Sequence, residues 1–185
     1  SAKTSSQSRS RGPVAPDAAT HDAIFNYTGG AYREFGDFFK GRPTSPEIAE
    51  QAKRLGDYLN DPANQTETKA FRGMQGSDAD LERFGMAMMD DEPLSFPSLA
   101  SWSANLGVTE NYANMPTSKK DARQIILEVN NLRGVPISHL SQYSKEEEVL
   151  AGPGKKYRVK DMQERVIPGK FGDRLPVFRS SGRPR

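Results

Sequence analysis

The stretch YSKEEEVLAGPGKKYRV, Tyr143 to Val159, sets three glutamates side by side between an aromatic and an apolar pair. An extended backbone alternates its side chains, so Glu146 and Glu148 point one way and Glu147 with Val149 the other. The two outer carboxylates then share a space, separated by roughly 7 Å, or two strand steps of about 3.3 Å each. Such a pair divides labour: one carboxylate stabilises a developing cation while the other accepts a proton. A similar separation suits an inverting glycoside hydrolase, so the pair alone leaves the reaction open.

Two upstream stretches narrow it. Arg72 closes the short apolar run in TKAFRGM and is followed by Gly73. A planar cation beside a backbone that a ligand can approach closely suits a diphosphate. In FPSLASWSAN, Ser101 and Ser103 flank Trp102 and offer two hydroxyls on one side of a strand. Such groups orient a carboxylate or a ribose. Each feature alone is common; the order Arg, Ser-x-Ser, Glu-x-Glu is the informative part. Other motifs fail. AGPGKKY lacks the spacing of a phosphate loop, no G-x-G-x-x-G follows a strand, and no G-x-S-x-G elbow exists. Asn64-Gln65-Thr66 matches a glycosylation sequon by three residues only.

The elements that must position these residues follow from composition and periodicity. A chain of 185 residues, 35% hydrophobic, supports one core of ordinary size. Its net charge of +2, from 26 basic and 24 acidic residues, argues for neither nucleic acid nor a membrane surface as partner. No cysteine is present, and His21 and His139 stand far apart, so no metal site is expected. No apolar run approaches a membrane span, and the first residues given lack the basic start and apolar middle of a signal peptide. A start at SAKTSSQ, without an initiator methionine, is expected of a domain cut from a longer protein.

Residues 1–20 read as a disordered arm or linker, 21–180 as one catalytic domain and 181–185 as a basic tail, with FRSSGRPR frayed. Ile24, Tyr27, Tyr32, Phe35, Phe38 and Phe39 recur at the helical spacing expected of core residues, with a break at Gly29-Gly30. TSPEIAEQAKRLGDYLND predicts a helix capped by Ser45, with Pro46 first and Ile48, Ala52, Leu55 and Leu59 on one face. Beyond it, KAFRGM predicts a strand, DLERFGMAMM a helix, LSFPSLASWSA an extended piece and VTENYAN a short helix. RQIILEVNNL, EEEVLAG, KYRVKDM and ERVI predict further strands. Helices first and strands later make an α+β fold.

Taken together, these stretches resemble the mono-ADP-ribosyltransferases of the arginine-serine-glutamate (R-S-E) class, in its bacterial toxin or effector form. DAIFNYTGGAYREFGDFF is similar to the helical start, AFRGM to the arginine strand, FPSLASWSAN to the serine strand, and YSKEEEVLAG to the glutamate strand with its target-recognition turn. Tyr143 stands where the family has an aromatic, three positions before the Glu-x-Glu pair. Trp102 departs from the Thr of many members but leaves both hydroxyls.

The resemblance implies N-terminal helices followed by a split, bent mixed β-sandwich enclosing an NAD cleft, with NAD as co-substrate and no metal. It implies that Arg72 holds the phosphates and ribose, that the backbone of Gly73 meets the nicotinamide amide, that Ser101 orients the site and that Ser103 stands with these among the NAD-binding residues. Glu148 would bond the ribose 2′-hydroxyl and stabilise the cationic state. Glu146 would activate an acceptor guanidinium, which makes an arginine of a target protein the expected acceptor, and Tyr143 would meet that protein. NAD glycohydrolase activity and a binding module with a degenerate cleft are the competing readings. The lack of cysteine fits a domain that is secreted, unfolds in transit and refolds in the cytoplasm of another cell. If that cell is bacterial, the producer needs an immunity protein.

Overall fold

The computed structural model describes residues 15–113, 122–140, 147–166 and 174–180. Helix α1 (Ala18–Asn26) opens on Asp17, whose carboxylate accepts the Thr20 amide at 2.8 Å. That bond draws the Asp17 carboxyl below its ordinary pKa. The helix therefore begins before His21, inside the stretch the sequence assigns to the arm. A single π turn (Tyr27–Ala31) follows, with Gly30 at a φ of 130°, a conformation open in practice only to glycine. It redirects the chain into α2 (Tyr32–Phe39). Helix α3 (Pro46–Asn60) starts as its sequence predicts: the Ser45 hydroxyl accepts the Ile48 amide at 3.2 Å and proline takes the first turn. Its apolar face of Ala52, Leu55 and Leu59 is buried against Ala23, Ile24 and Phe35, with Ile48 at the margin.

The strands come next. β1 (Thr66–Gly76) is longer than the six-letter run that announced it. α4 (Asp78–Met89) carries a reciprocal cap in which the Ser77 hydroxyl accepts the Asp80 amide and the Asp80 carboxylate accepts the Ser77 amide. The segment expected to be one extended piece is two strands, β2 (Pro93–Phe96) and β3 (Ala100–Ser103), interrupted after Phe96. After α5 (Leu106–Ala113) come β4 (Arg123–Pro136), β5 (Glu148–Ala151), β6 (Lys155–Val166) and β7 (Arg174–Ser180). KYRVKDM and ERVI thus belong to one strand. Phe178 to Ser180 pair within β7, which corrects the reading of FRSSGRPR as wholly frayed. AGPGKKY spans the turn that leads from β5 into β6, with Gly154 at a φ of 79°, and these two strands have different pairing partners.

Among the described residues the strand order is β1-β3-β5-β4-β7-β6-β2, and β1 also pairs with β4. The long β1–β4 pairing is antiparallel, from Thr66 opposite Gly134 to Gly76 opposite Arg123. β1, β3, β5 and β4 therefore close a circuit of pairings, while β7 lies parallel to β4 on its other side. The arrangement is mixed, and it follows the predicted order of helices, then strands.

Two main clusters of buried side chains result. One lies among the strands, with Trp102, Phe84, Ile125, Val129, Val149 and Tyr157. The other joins the N-terminal helices to Val135, Ile137, Leu99 and Leu150. β5 serves both: Val149 and Ala151 enter the first cluster and Leu150 the second, as the strand's alternation requires.

Candidate active site

The register of β3 on β5 fixes what each face of these strands can do. Ser103 stands opposite Glu148, Trp102 opposite Val149, and Ser101 opposite Leu150. Cross-strand partners project to the same face, so Ser101, Ser103, Glu148 and Leu150 share one side while Trp102 turns to the other. Trp102 is buried there, edge-on to Tyr157 at 5.7 Å and tilted against Phe96 at 6.2 Å. The helices cover the serine-bearing face at Leu150 and leave the end at Glu148 open. The opening is a cleft of about 500 Å³, within the range of small-molecule sites.

Arg72, Gly73, Ser101, Ser103 and Glu148 all line this cleft. The Arg72 guanidinium donates to the Ser101 carbonyl oxygen at 2.9 Å. Burial pulls its pKa below the ordinary value, and the neighbouring Tyr27 and Tyr157 oppose that pull. An arginine stays charged under such pressure. Among the described residues no carboxylate lies within ion-pair distance of it. A partly desolvated cation facing a cleft suits an anionic ligand such as a diphosphate.

The two serines do different things. The Ser101 hydroxyl is 3.3 Å from the Tyr27 hydroxyl. The Ser103 hydroxyl accepts the Asn105 amide at 3.0 Å and donates to the Asn105 carbonyl at 3.2 Å. The Asn105 side chain in turn accepts the Gly107 amide at 2.9 Å, capping α5. Ser103 thus braces the start of the helix whose Val108 and Thr109 form part of the wall.

Glu148 is half-buried at the first position of β5, and its carbonyl accepts the Ile137 amide at 3.0 Å. Glu147 is exposed, and its φ of 45° is left-handed. Among the described residues the extended pleat of β5 therefore begins at Glu148. The Glu147 carbonyl accepts the Ala104 amide at 3.1 Å, which ties the approach to β5 onto the end of β3. Glu146 and Tyr143 lie outside the described residues.

Sequence reasoning passed over the helical wall. Tyr27, Thr28, Gly29, Gly30 and Tyr32 line the cleft, and Tyr32 is 51% exposed although its spacing suggested core. Tyr27 is buried against Phe35, yet its hydroxyl reaches Ser101. The available signal was the Gly29-Gly30 break, which turns the π segment toward the strands. Among the described residues no cluster of histidine and carboxylate groups could hold a metal ion.

No protein-family model and no curated protein matches the sequence. Solved structures do match in shape. The Vis toxin of Vibrio splendidus, an ADP-ribosyltransferase solved with agmatine, superposes with a TM-score of 0.60 at 17% identity, over 95% of this chain and 80% of Vis. Plx2a, an ADP-ribosyltransferase toxin of Paenibacillus larvae, gives 0.64 at 14% identity, over 89% and 85%. Exoenzyme S of Pseudomonas aeruginosa, bound to carba-NAD and a human 14-3-3 protein, gives 0.58 at 19% identity, over 87% and 72%. With its helical start, its mixed strands and the cleft between them, the chain has the fold of the bacterial ADP-ribosyltransferase toxins and effectors.

Proposed function

We propose that the chain transfers the ADP-ribosyl group of NAD to an arginine side chain of a target protein and releases nicotinamide. The observation that carries this reading is the convergence of Arg72, Gly73, Ser101 and Glu148, from three strands, on one cleft. In the reaction the bond from ribose C1′ to the nicotinamide nitrogen breaks, and its electron pair leaves with nicotinamide. The Glu148 carboxylate holds the ribose 2′-hydroxyl and stabilises the positive charge that develops at C1′. Arg72 holds the diphosphate, and Ser101, bonded to Tyr27 and to Arg72, fixes the orientation of that arginine. A guanidinium nitrogen of the acceptor then bonds to C1′, and its proton passes to Glu146. That transfer matters because a free guanidinium is protonated and poorly nucleophilic.

The roles of Glu146 as base and Tyr143 as the contact to the target protein rest on the sequence motif. Two findings support the choice of substrates. Vis was solved with agmatine, itself a guanidinium compound, and exoenzyme S with an NAD analogue. In this reading the chain is an effector domain delivered by its producer into another cell, as bacterial toxins of this fold are.

The test is transfer of labelled ADP-ribose from NAD onto proteins of bacterial and eukaryotic lysates. Glu148→Gln is expected to lower nicotinamide release roughly a thousandfold. Glu146→Gln is expected to abolish protein labelling while nicotinamide release persists. Release without labelling by the unaltered chain would make it an NAD glycohydrolase. No NAD binding at all would make it a binding module.

A further inference from the structure

A second groove of about 580 Å³ lies between α4 and β2 and shares no lining residue with the cleft. We propose that it docks an extended, lysine- or arginine-bearing apolar segment of a second protein, added as a strand along β2.

Three observations carry this. β2 ends the strand order and, among the described residues, pairs with β6 alone. All four of its residues line the groove. A groove on one face of a strand would touch alternate residues, so contact with every one sets it along the edge. The Phe96 carbonyl accepts the Gly154 amide at 3.0 Å, toward β6. By alternation, the N–H and C=O of Ser95 point the other way, into the groove, as a docking strand requires. Pro93 opens the strand, a position where the missing donor is tolerated at an edge.

The chemistry of the lining selects the occupant. Phe84 and Leu94 give it an apolar floor, and on the neighbouring helix Met86 and Met89 are 56% and 82% exposed. Exposed methionines form adaptable contact surfaces, and apolar exposure concentrated at a groove marks interaction sites. Glu82, Asp90 and Glu92 line the groove against one cation, Arg83, which faces Asp80 at 3.7 Å. The excess of carboxylates favours cationic side chains and disfavours an anionic lipid surface.

The experiment is a nuclear magnetic resonance titration of the whole chain with a short synthetic peptide alternating lysine and valine. Saturable shifts are expected at the Ser95 amide and the Met86 and Met89 methyls, with Arg72 and Ser101 unmoved. A peptide with glutamate in place of lysine should not bind. The pair Asp90→Lys with Glu92→Lys should weaken the lysine peptide about tenfold with unchanged circular dichroism. N-methylating alternate peptide amides should also abolish binding, because it removes the donors of the added strand. Equal binding of lysine and glutamate peptides, or of the N-methylated form, overturns the proposal. So does binding that requires removal of residues 1–14, which would make the chain's own arm the occupant. Self-association that excludes the peptide would assign the groove to a second copy and overturn it as well.

Discussion

The helical and strand-built parts of this molecule solve different problems. The N-terminal helices bury a nearly pure apolar set: Ala23, Ile24, Phe35, Ala52, Leu55 and Leu59 are each fully enclosed. The strands bury apolar residues too, but they also hold Ser103 and Glu128 below a tenth exposed and draw Arg72 partly out of solvent. Glu128 is matched by Lys69 at 2.8 Å, and Arg72 by the Ser101 carbonyl at 2.9 Å. The helices thus supply cohesion and one wall, while the strands carry the costly polar groups that a site needs. A cleft at the seam exploits both, since the open end of the β3–β5 face is the part the helices do not reach.

The strongest way to break this comparison is to ask whether the two parts unfold separately. Leu55→Ala is expected to cost about 3 kcal/mol by leaving a cavity in the helical cluster. Leu150 of β5 is enclosed in that same cluster, so the loss should reach the strands. Trp102 is the chain's single tryptophan and sits in the strand cluster, so its fluorescence reports the strands while far-UV circular dichroism reports mainly the helices. In urea, both signals should move to the same lower midpoint. If the helical signal moves alone, the lobes are independent and the seam does not couple them.

The same contrast explains what the sequence made legible. α3 could be read almost residue by residue, because its cap, its proline and its apolar face are local and repeat with the helical period. Arg72, Ser101 and Glu148 could be named from their order in the chain, but not their convergence. That depends on β3 pairing with β5 across some forty-five residues, a register no local pattern specifies. β7 was passed over for a different reason: its β6 partner is close in sequence, but its short apolar run is interrupted by Pro176, which counts against a strand. Tyr27 was seen but misread as core alone: a tyrosine at helical spacing shows its ring to the pattern and hides its hydroxyl.

A glycine in each part sharpens the comparison further. A Cβ at Gly134 in β4 would stand 2.8 Å from the Leu150 carbonyl oxygen, a backbone atom with no freedom to swing aside. Gly134→Ala is expected to cost about 2 kcal/mol, read as a lower urea midpoint, because β4 and β5 must part to admit the methyl. A Cβ at Gly36 in α2 would meet nothing nearer than the Ser98 hydroxyl at 3.6 Å, an ordinary contact. Gly36→Ala should therefore stabilise the protein by roughly 0.5 kcal/mol, through helix propensity and a less disordered unfolded chain. Destabilisation at both sites would show that α2 is packed as tightly as the strands.

The smallest expected effect lies at the seam itself, where Tyr27 of the helical part reaches Ser101 of the strands. Tyr27→Phe keeps the ring against Phe35 and removes only the hydroxyl, so near neutral pH it should cost about 1 kcal/mol. Its signature is in alkaline solution. Burial raises the Tyr27 pKa above the ordinary 10.0, with the Ser101 bond and the Arg72 charge opposing that rise. A group whose folded pKa is raised contributes stability that is fully present below its unfolded pKa. That contribution is lost as pH climbs from about 10 through the folded value, because the unfolded tyrosine ionises first. Tyr157, raised in the same direction by burial, adds a similar slope of its own. Urea midpoints measured near neutrality and again above pH 10 should therefore fall less steeply in Tyr27→Phe than in the unaltered chain, with the Tyr157 part of the slope remaining. An identical slope would mean that the Tyr27 phenol is already wet at the cleft, and the seam would then be held by the rings alone.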